Sequence, residues 1–313
     1  MVRVAVVQAG SVLFDTDATL AKMERLTQDA VSQSAELVLF PEAFVGGYPK
    51  GIDFGARMGS RSEGGRDQFR RYYDSAITLD GPEAVRIAAL AAKHKIHLVT
   101  GAIERDGGTL YCAVLHFDPN GELIGRRRKL MPTAMERLVW GMGDGSTLSV
   151  TETPLGRVGA VICWENYMPM LRMTMYAQGV QIYCAPTVDD RDGWQASMRH
   201  IALEGRCYVL SAVQYFTRAD APADYAPIQG DKPDTVLIRG GSAIYGPLGE
   251  EIAAPVYGRE AVLTANIDLG KLSRAKYDLD VVGHYARPDI FTLNVDRRPK
   301  LAANMIWDDP ASE

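Results

Sequence analysis

The sequence predicts an α/β protein with mixed sheets inside and helices outside, folded as one unit. Three observations predict it. Short, continuously apolar runs alternate with longer stretches of helical periodicity. Several of those runs are joined by tight Gly- or Pro-containing turns, which adds hairpins to the βα units. No composition break resembling a linker, and no internal repeat, divides the chain.

In chain order, Val4–Gln8 reads as a buried strand. Asp17–Ser34 reads as a helix, with Leu20, Met23, Leu26 and Val31 on one face and Asp17 as its cap. Leu37–Phe40 is a second buried strand, ended by Pro41. Pro82–Lys95 is a helix with proline in its first turn, where the missing N–H costs nothing. Ile96–Ile103 and Leu110–Asp118 pair across Gly107-Gly108, and Pro119-Asn120-Gly121 turns the chain into Leu123–Leu130. Thr147–Glu152 and Val158–Cys163 form a hairpin across Pro154-Leu155-Gly156. Helix Met168–Gln178, strand Gln181–Ala185, helix Gly193–Arg206 and strand Tyr208–Gln214 follow. Ser242–Tyr245, Ile252–Pro255 and Ala261–Ile267 close the sheets. Gly46–Arg71, rich in Gly and Arg, and Arg218–Asp234, rich in Pro, Asp and Ala, read as loop insertions; long irregular segments of this kind often cover a site. A polar tail begins at Asp296 and is expected to cross the surface.

Composition narrows the function classes. Of the 313 residues 47% are hydrophobic and 23% charged, which excludes a disordered chain, and the net charge of −5 argues against a general nucleic-acid or anionic-membrane binder. No apolar run reaches the ~18–20 residues that span a bilayer, and the N-terminus does not read as a signal peptide. The four cysteines, at 112, 163, 184 and 207, include no CxxC pair. The expectation is a reduced, cytoplasmic protein with a large core.

Cys163 ends a buried strand and precedes a turn into a helix, the place where α/β folds hold reactive groups. A helix N-terminus or a neighbouring cation is expected to favour its thiolate. Glu42 follows the strand Leu37–Phe40, and Lys129 ends the strand that begins at Leu123, so an acid and an amine also stand at strand ends. By composition alone a turn glutamate and a solvated lysine look the same. Cys112, Cys184 and Cys207 lie within strands or at a junction and read as core. None of the five histidines sits in a context that marks a catalytic base. His200 reads as a packed helix residue, and His284 as a packing or hydrogen-bonding one.

Phe40-Pro41-Glu42-Ala43-Phe44, Arg128-Lys129-Leu130-Met131-Pro132-Thr133 and Ile162-Cys163-Trp164-Glu165-Asn166 resemble, in order, the three signatures of the nitrilase superfamily of carbon–nitrogen hydrolases. The resemblance continues through Tyr183-Cys184-Ala185-Pro186-Thr187, the Trp194–Arg206 segment and Gly240-Gly241-Ser242, and covers roughly Val2 to Leu293. Cys163-Trp164-Glu165-Asn166, the Thr133–Gly141 segment and Val282–Pro288 resemble the nitrilase branch, most of all plant-like and cyanobacterial-like nitrilases. The tail after Leu293 is shorter than in many microbial nitrilases, which argues against long filaments.

The resemblance implies one domain over residues 1–313, built as a four-layer α-β-β-α sandwich with two mixed sheets. It implies hydrolysis of an organic nitrile, aliphatic or arylaliphatic, to the acid and ammonia. Cys163 is then the nucleophile, Glu42 the proton acceptor, Lys129 the charge stabiliser and proton donor, and Glu136 a supporting second glutamate. Trp164, Thr133, Tyr48, Trp140 and Thr187 are expected to bind substrate. The pocket walls are expected from Gly46–Arg71, Met131–Trp140 and Thr187–Trp194. No cofactor and no metal is implied. Glu165 either supports the site or holds the turn after Cys163. The helix Met168–Gln178, apolar nearly all round, is expected to pack in a homodimer or larger homo-oligomer. The competing activities on the same three residues are an amidase or carbamoylase and a cyanide-hydrolysing enzyme.

Overall fold

The computed structural model describes residues 1–301 and 303. In the first sheet, Ala261–Ile267 pairs antiparallel with Val2–Gln8, which runs parallel to Leu37–Leu39 and, through it, to His97–Asp106. The antiparallel strands Thr109–Phe117 and Leu123–Arg128 complete that sheet. The second sheet repeats the plan. Gly156–Ala160, Ile182–Thr187 and Tyr208–Val213 are its parallel centre. Val150–Thr153 flanks them on one side, and Val236–Tyr245 with Tyr215–Thr217 and Glu251–Tyr257 on the other.

Strand alternation explains the layering. Val4, Val6, Leu37, Leu39 and Val99 point away from the first sheet's helices and pack against Val158, Ile182, Leu210 and Ile244 of the second. Their neighbours Ala5, Val7, Val38 and Leu98 point the other way, onto Leu20, Met23 and Leu26 of helix Thr16–Ser32 and Ile87 and Leu90 of helix Pro82–His94. On the second sheet's outer face, Val161, Tyr183, Ala185 and Val209 meet Leu171 and Met175 of helix Pro169–Ala177 and Trp194, Met198 and Ile201 of helix Asp192–Gly205. The result is the four-layer sandwich.

Several boundaries differ from the sequence reading. The first helix is capped by Asp15, whose carboxylate accepts the Ala18 N–H at 2.9 Å; Asp17 lies inside the first turn. The Gly46–Arg71 segment is not wholly irregular. It holds a small hairpin, Ala56–Arg57 with Ser60–Arg61, and the start of a helix, Glu63–Ser75, capped by Ser62. Helix Pro169–Ala177 buries Leu171, Thr174, Met175 and Tyr176 within its own subunit, so its apolar surface is not all available to a partner; Met170 stays 64% exposed. The tail follows the surface to Lys300, whose N–H donates to Asp144 Oδ2 at 2.7 Å. Its remainder, apart from Leu301 and Ala303, lies outside the described residues. Among the described residues no helix is long and apolar enough to cross a membrane.

Candidate active site

Glu42, Lys129 and Cys163 stand at the ends of three strands drawn from the two sheets, where the interior faces meet. Each is delivered by a turn with a physical reason. After Leu37–Leu39 the chain bends at Pro41-Glu42-Ala43, with Ala43 at φ +50°. That bend lies so close to Gly101 that a Cβ there would come within 2.3 Å of the Pro41 carbonyl, so only glycine fits. Gln214 Nε2 donates to the Glu42 carbonyl at 2.7 Å and fixes the bend from the second sheet. Lys129 follows Leu123–Arg128, its N–H bonded to the Cys112 carbonyl at 2.7 Å. Cys163 opens a short 3-10 helix, Cys163–Tyr167, and holds φ +51°. A non-glycine residue in the left-handed region is strained, and surrounding contacts have to hold it there.

Glu165 supplies those contacts. Its carboxylate accepts the Ile162 N–H at 3.2 Å on the cysteine turn and the Leu130 N–H at 2.6 Å on the lysine strand. Arg127 closes a two-pronged pair on it at 2.9 and 2.7 Å, and both side chains are buried. One carboxylate thus ties the Cys163 turn to the strand that carries Lys129.

Lys129 Nζ donates to Glu42 Oε1 and to Glu136 Oε2, each at 2.7 Å, and is fully buried. Glu42 Oε2 accepts the Val188 N–H at 3.1 Å. Glu136 also takes the Tyr48 hydroxyl at 2.9 Å and the Thr133 N–H at 2.7 Å. Trp140 packs its ring with its centroid 5.4 Å from Nζ and donates its indole N–H to the Tyr72 hydroxyl at 3.0 Å. Thr187, also fully buried, donates its hydroxyl to Cys163 Sγ at 3.1 Å.

Burial raises the Glu42 carboxyl above its ordinary 4.5; the Lys129 charge opposes the shift and the Glu136 charge adds to it. Burial alone would discharge Lys129, but the carboxylates of Glu42 foremost and of Glu136 hold it well above 10.5. Cys163 departs from the sequence expectation. Burial first, then the Glu42 charge, pushes its thiol up from 9.0 despite the opposing Lys129 charge, so the resting group is the thiol and not a preformed thiolate. A thiol beside a carboxylate with a raised pKa is matched to proton transfer during attack.

The cavity leading to this cluster has a volume of about 570 Å³. Tyr48, Glu136 and Trp140 contribute to its wall, so it reaches the carboxylate bonded to Lys129; Ile52, Phe54 and Val139 add apolar surface. Residues of the 46–71 and 131–140 segments line it. Ala226, Ile228 and Gln229 of the second loop segment line it as well, and no residue of Thr187–Trp194 does. The reason is a pair of fastenings: Ile228 N–H donates to the Gly51 carbonyl at 2.9 Å, and the Tyr225 hydroxyl donates to the Lys50 carbonyl. Gly51, at φ +86°, permits the approach, since a Cβ there would come within 2.0 Å of Gln229 Oε1. Arg218 holds that loop from inside, donating to Asp231 and to the Pro222 and Ala223 carbonyls.

The five residues expected at the substrate divide. Tyr48 and Trp140 line the cavity, and Thr133 sits on Glu136 through its backbone. Thr187 sits on the sulfur. Trp164 is 41% exposed, its indole N–H donates to Asp189 Oδ2 at 2.8 Å, the Arg191 guanidinium lies over its ring, and it is not among the cavity walls. The Trp164 backbone N–H, in the first turn of its short helix, has no intrahelical acceptor and stands next to Sγ in the chain. Sequence reading missed Cys112, whose thiol reaches Glu42 Oε1 at 3.6 Å. Its strand position looks like core, and only the pairing of Thr109–Phe117 beside the lysine strand places it at the site. Among the described residues no group of three or more His, Cys, Asp or Glu side chains is placed to hold a metal ion.

Residues 3–277 match the carbon-nitrogen hydrolase family. A bifunctional nitrilase/nitrile hydratase from Nicotiana tabacum is 55% identical over 298 residues, covering 94% of this chain and 86% of that protein. An aliphatic nitrilase from Sinorhizobium fredii is 54% identical over 300 residues, covering 96% and 97%. Nitrilase 3 of Arabidopsis thaliana is 53% identical over 304 residues, covering 96% and 88%. Among solved structures, the NitFhit protein of C. elegans superposes with TM-score 0.74 at 21% identity, covering 96% of this chain and 68% of that one. Nit3 of Saccharomyces cerevisiae superposes with TM-score 0.68 at 22% identity, covering 91% and 96%. At those identities the structures speak to the fold, and the fold is theirs. With the family match spanning most of its length and relatives above half identity, the chain belongs to the carbon-nitrogen hydrolases, in their nitrilase branch.

Proposed function

We propose that this protein hydrolyses an organic nitrile to the carboxylic acid and ammonia through covalent intermediates on Cys163. The observation that carries the reading is Lys129 Nζ, buried and bonded at 2.7 Å to both Glu42 and Glu136. It places one fixed positive charge between two carboxylates, next to a thiol. Relatives named nitrilases at 53–55% identity support the substrate class.

The steps follow from charge. Glu42 takes the Cys163 proton as sulfur adds to the nitrile carbon, and the nitrogen gains negative charge. Lys129 and the Trp164 N–H stabilise that charge, in surroundings where water is excluded and the interaction is strong. Glu42 passes the thiol proton on to that nitrogen, which gives a thioimidate and leaves Glu42 ionised. Glu42 then activates water, which adds to the same carbon. Protonation of nitrogen lets ammonia leave, a thioester remains, and a second water releases the acid and the thiol. Glu136 holds Lys129 and orients the approaching water or substrate. The organic part of the substrate occupies the cavity between the two fastened loops.

The testing experiment is ammonia release across mononitriles, dinitriles and the matching amides. Nitriles should be consumed with acid and ammonia as main products. Ready hydrolysis of amides with every nitrile untouched would replace this reading by an amidase. In the same reading the enzyme is at least a homodimer, supported by exposed Met170 and Tyr167 beside the cysteine turn, and works inside the cell on a small molecule, without nucleic acid or membrane.

A further inference from the structure

Thr187 stands at the end of strand Ile182–Thr187, which runs parallel to Gly156–Ala160 with Cys184 opposite Ala160. Three residues on, the same register brings Thr187 to Cys163. Its hydroxyl oxygen accepts the Asp189 N–H at 2.9 Å, and its single proton points to Cys163 Sγ at 3.1 Å. Asp189, only 6% exposed, is itself tied down. It accepts the Trp164 indole N–H at 2.8 Å and the Arg191 N–H at 3.1 Å, so the strand end and the cysteine turn are locked together.

We infer that Thr187 is a catalytic hydrogen-bond donor to the nucleophilic sulfur and that it sets how the tetrahedral centre divides between acid and amide. The division rests on the nitrile-hydrolysing reading above. Water addition to the thioimidate gives a carbon bearing a hydroxyl, an amine, the organic group and the sulfur. On one path the hydroxyl proton passes through Glu42 to nitrogen, the C–N bond breaks with its electron pair leaving on ammonia, and a thioester remains. On the other, the C–S bond breaks with its pair going to sulfur, the hydroxyl proton passes through Glu42 to that sulfur, and the amide departs from a free thiol. Only the second path puts negative charge on sulfur at the branch, and Thr187 is the donor aimed at it. Thr187 thus speeds the first attack, where sulfur also gains charge, and opens the exit to amide.

The test compares wild type with Thr187→Val, which keeps the branched shape without the hydroxyl, and Thr187→Ser, which restores it. Two readouts are taken: the alkylation rate of Cys163 by iodoacetamide from neutral to alkaline pH, mapped by peptide mass, and the early acid-to-amide ratio from a nitrile. The valine variant should alkylate about 10- to 100-fold more slowly at neutral pH, the range for losing a hydrogen bond to a charged group. Its profile should move to higher pH and its amide fraction should fall, while serine restores both. A valine variant with wild-type alkylation, or with slower turnover but an unchanged ratio, would overturn the inference, since a purely structural role slows turnover without moving the branch. If valine does not fold, Thr187→Ala carries the same comparison. If wild type consumes no nitrile, the nitrilase reading fails, and the alkylation arm alone decides whether Thr187 acts on the sulfur.

Discussion

Glu42 is the residue on which the pH behaviour turns. Its carboxyl is raised above 4.5 by burial, and as the proposed base it acts only when ionised, so activity should be lost as pH falls through that raised value. Lys129 stays charged well beyond neutrality and Cys163 stays a thiol, so neither limits the acid side. The expected kcat/KM profile has an acid limb with its midpoint above pH 4.5, checked by initial rates in a series of buffers; a limb below that value would show that another group is the base. Glu136→Gln removes a charge that Lys129 and the Tyr48 hydroxyl both use. Nitrile turnover should drop by about 10- to 1000-fold, as for other preorganised charge-stabilising groups, with residual product shifted toward amide. Chromatography at early times reads both. The three central residues were legible in the sequence because each closes a motif at a strand end. Thr187 was legible only as a substrate contact, through the resemblance, and its bond to the sulfur was not; Cys112 was not legible at all, since a residue inside an apolar strand looks like core until strand order and register are known.

At the scale of elements, the clamp made by Glu165 is the feature with the largest energetic stake. Removing its charge leaves Arg127 buried without a partner, and breaking such a pair costs about 3–5 kcal/mol. Glu165→Gln should therefore lower the urea midpoint and reduce activity together, because the Ile162 and Leu130 N–H groups lose their common anchor. Equilibrium denaturation with parallel rate measurements checks this; full activity in a destabilised protein would separate the clamp from the site. The buried parallel strands were readable because both faces are covered and the residues run apolar throughout. Helix Glu63–Ser75 was not. It buries only Gly65, Tyr72 and Ser75, so its sequence shows charge and glycine in place of a stripe. Helix Glu136–Val139 is a single turn, too short for a period to show. The second loop's place on the cavity depends on long-range bonds to Lys50 and Gly51, which no local pattern encodes.

For the whole molecule, two interior sheets leave their helices outside, and the surface around helix Pro169–Ala177 keeps Tyr167, Met170 and Trp164 partly in solvent. Light scattering at micromolar concentration should give at least a dimer; a mass of only 34.3 kDa would contradict that. Activity should survive EDTA and be lost to thiol alkylation, since the charge stabiliser assigned here is Lys129; loss to chelator that added metal restores would contradict it. The central claim is that Cys163 is the nucleophile in the reaction of a nitrile. Intact-protein mass spectrometry during turnover, followed by peptide mapping, tests it most directly. Wild type should show a mass increase matching the acyl or imidoyl group on Cys163, with no adduct and no turnover in a folded Cys163→Ala variant. An adduct mapped to Cys112, Cys184 or Cys207, or turnover by Cys163→Ala, would contradict it.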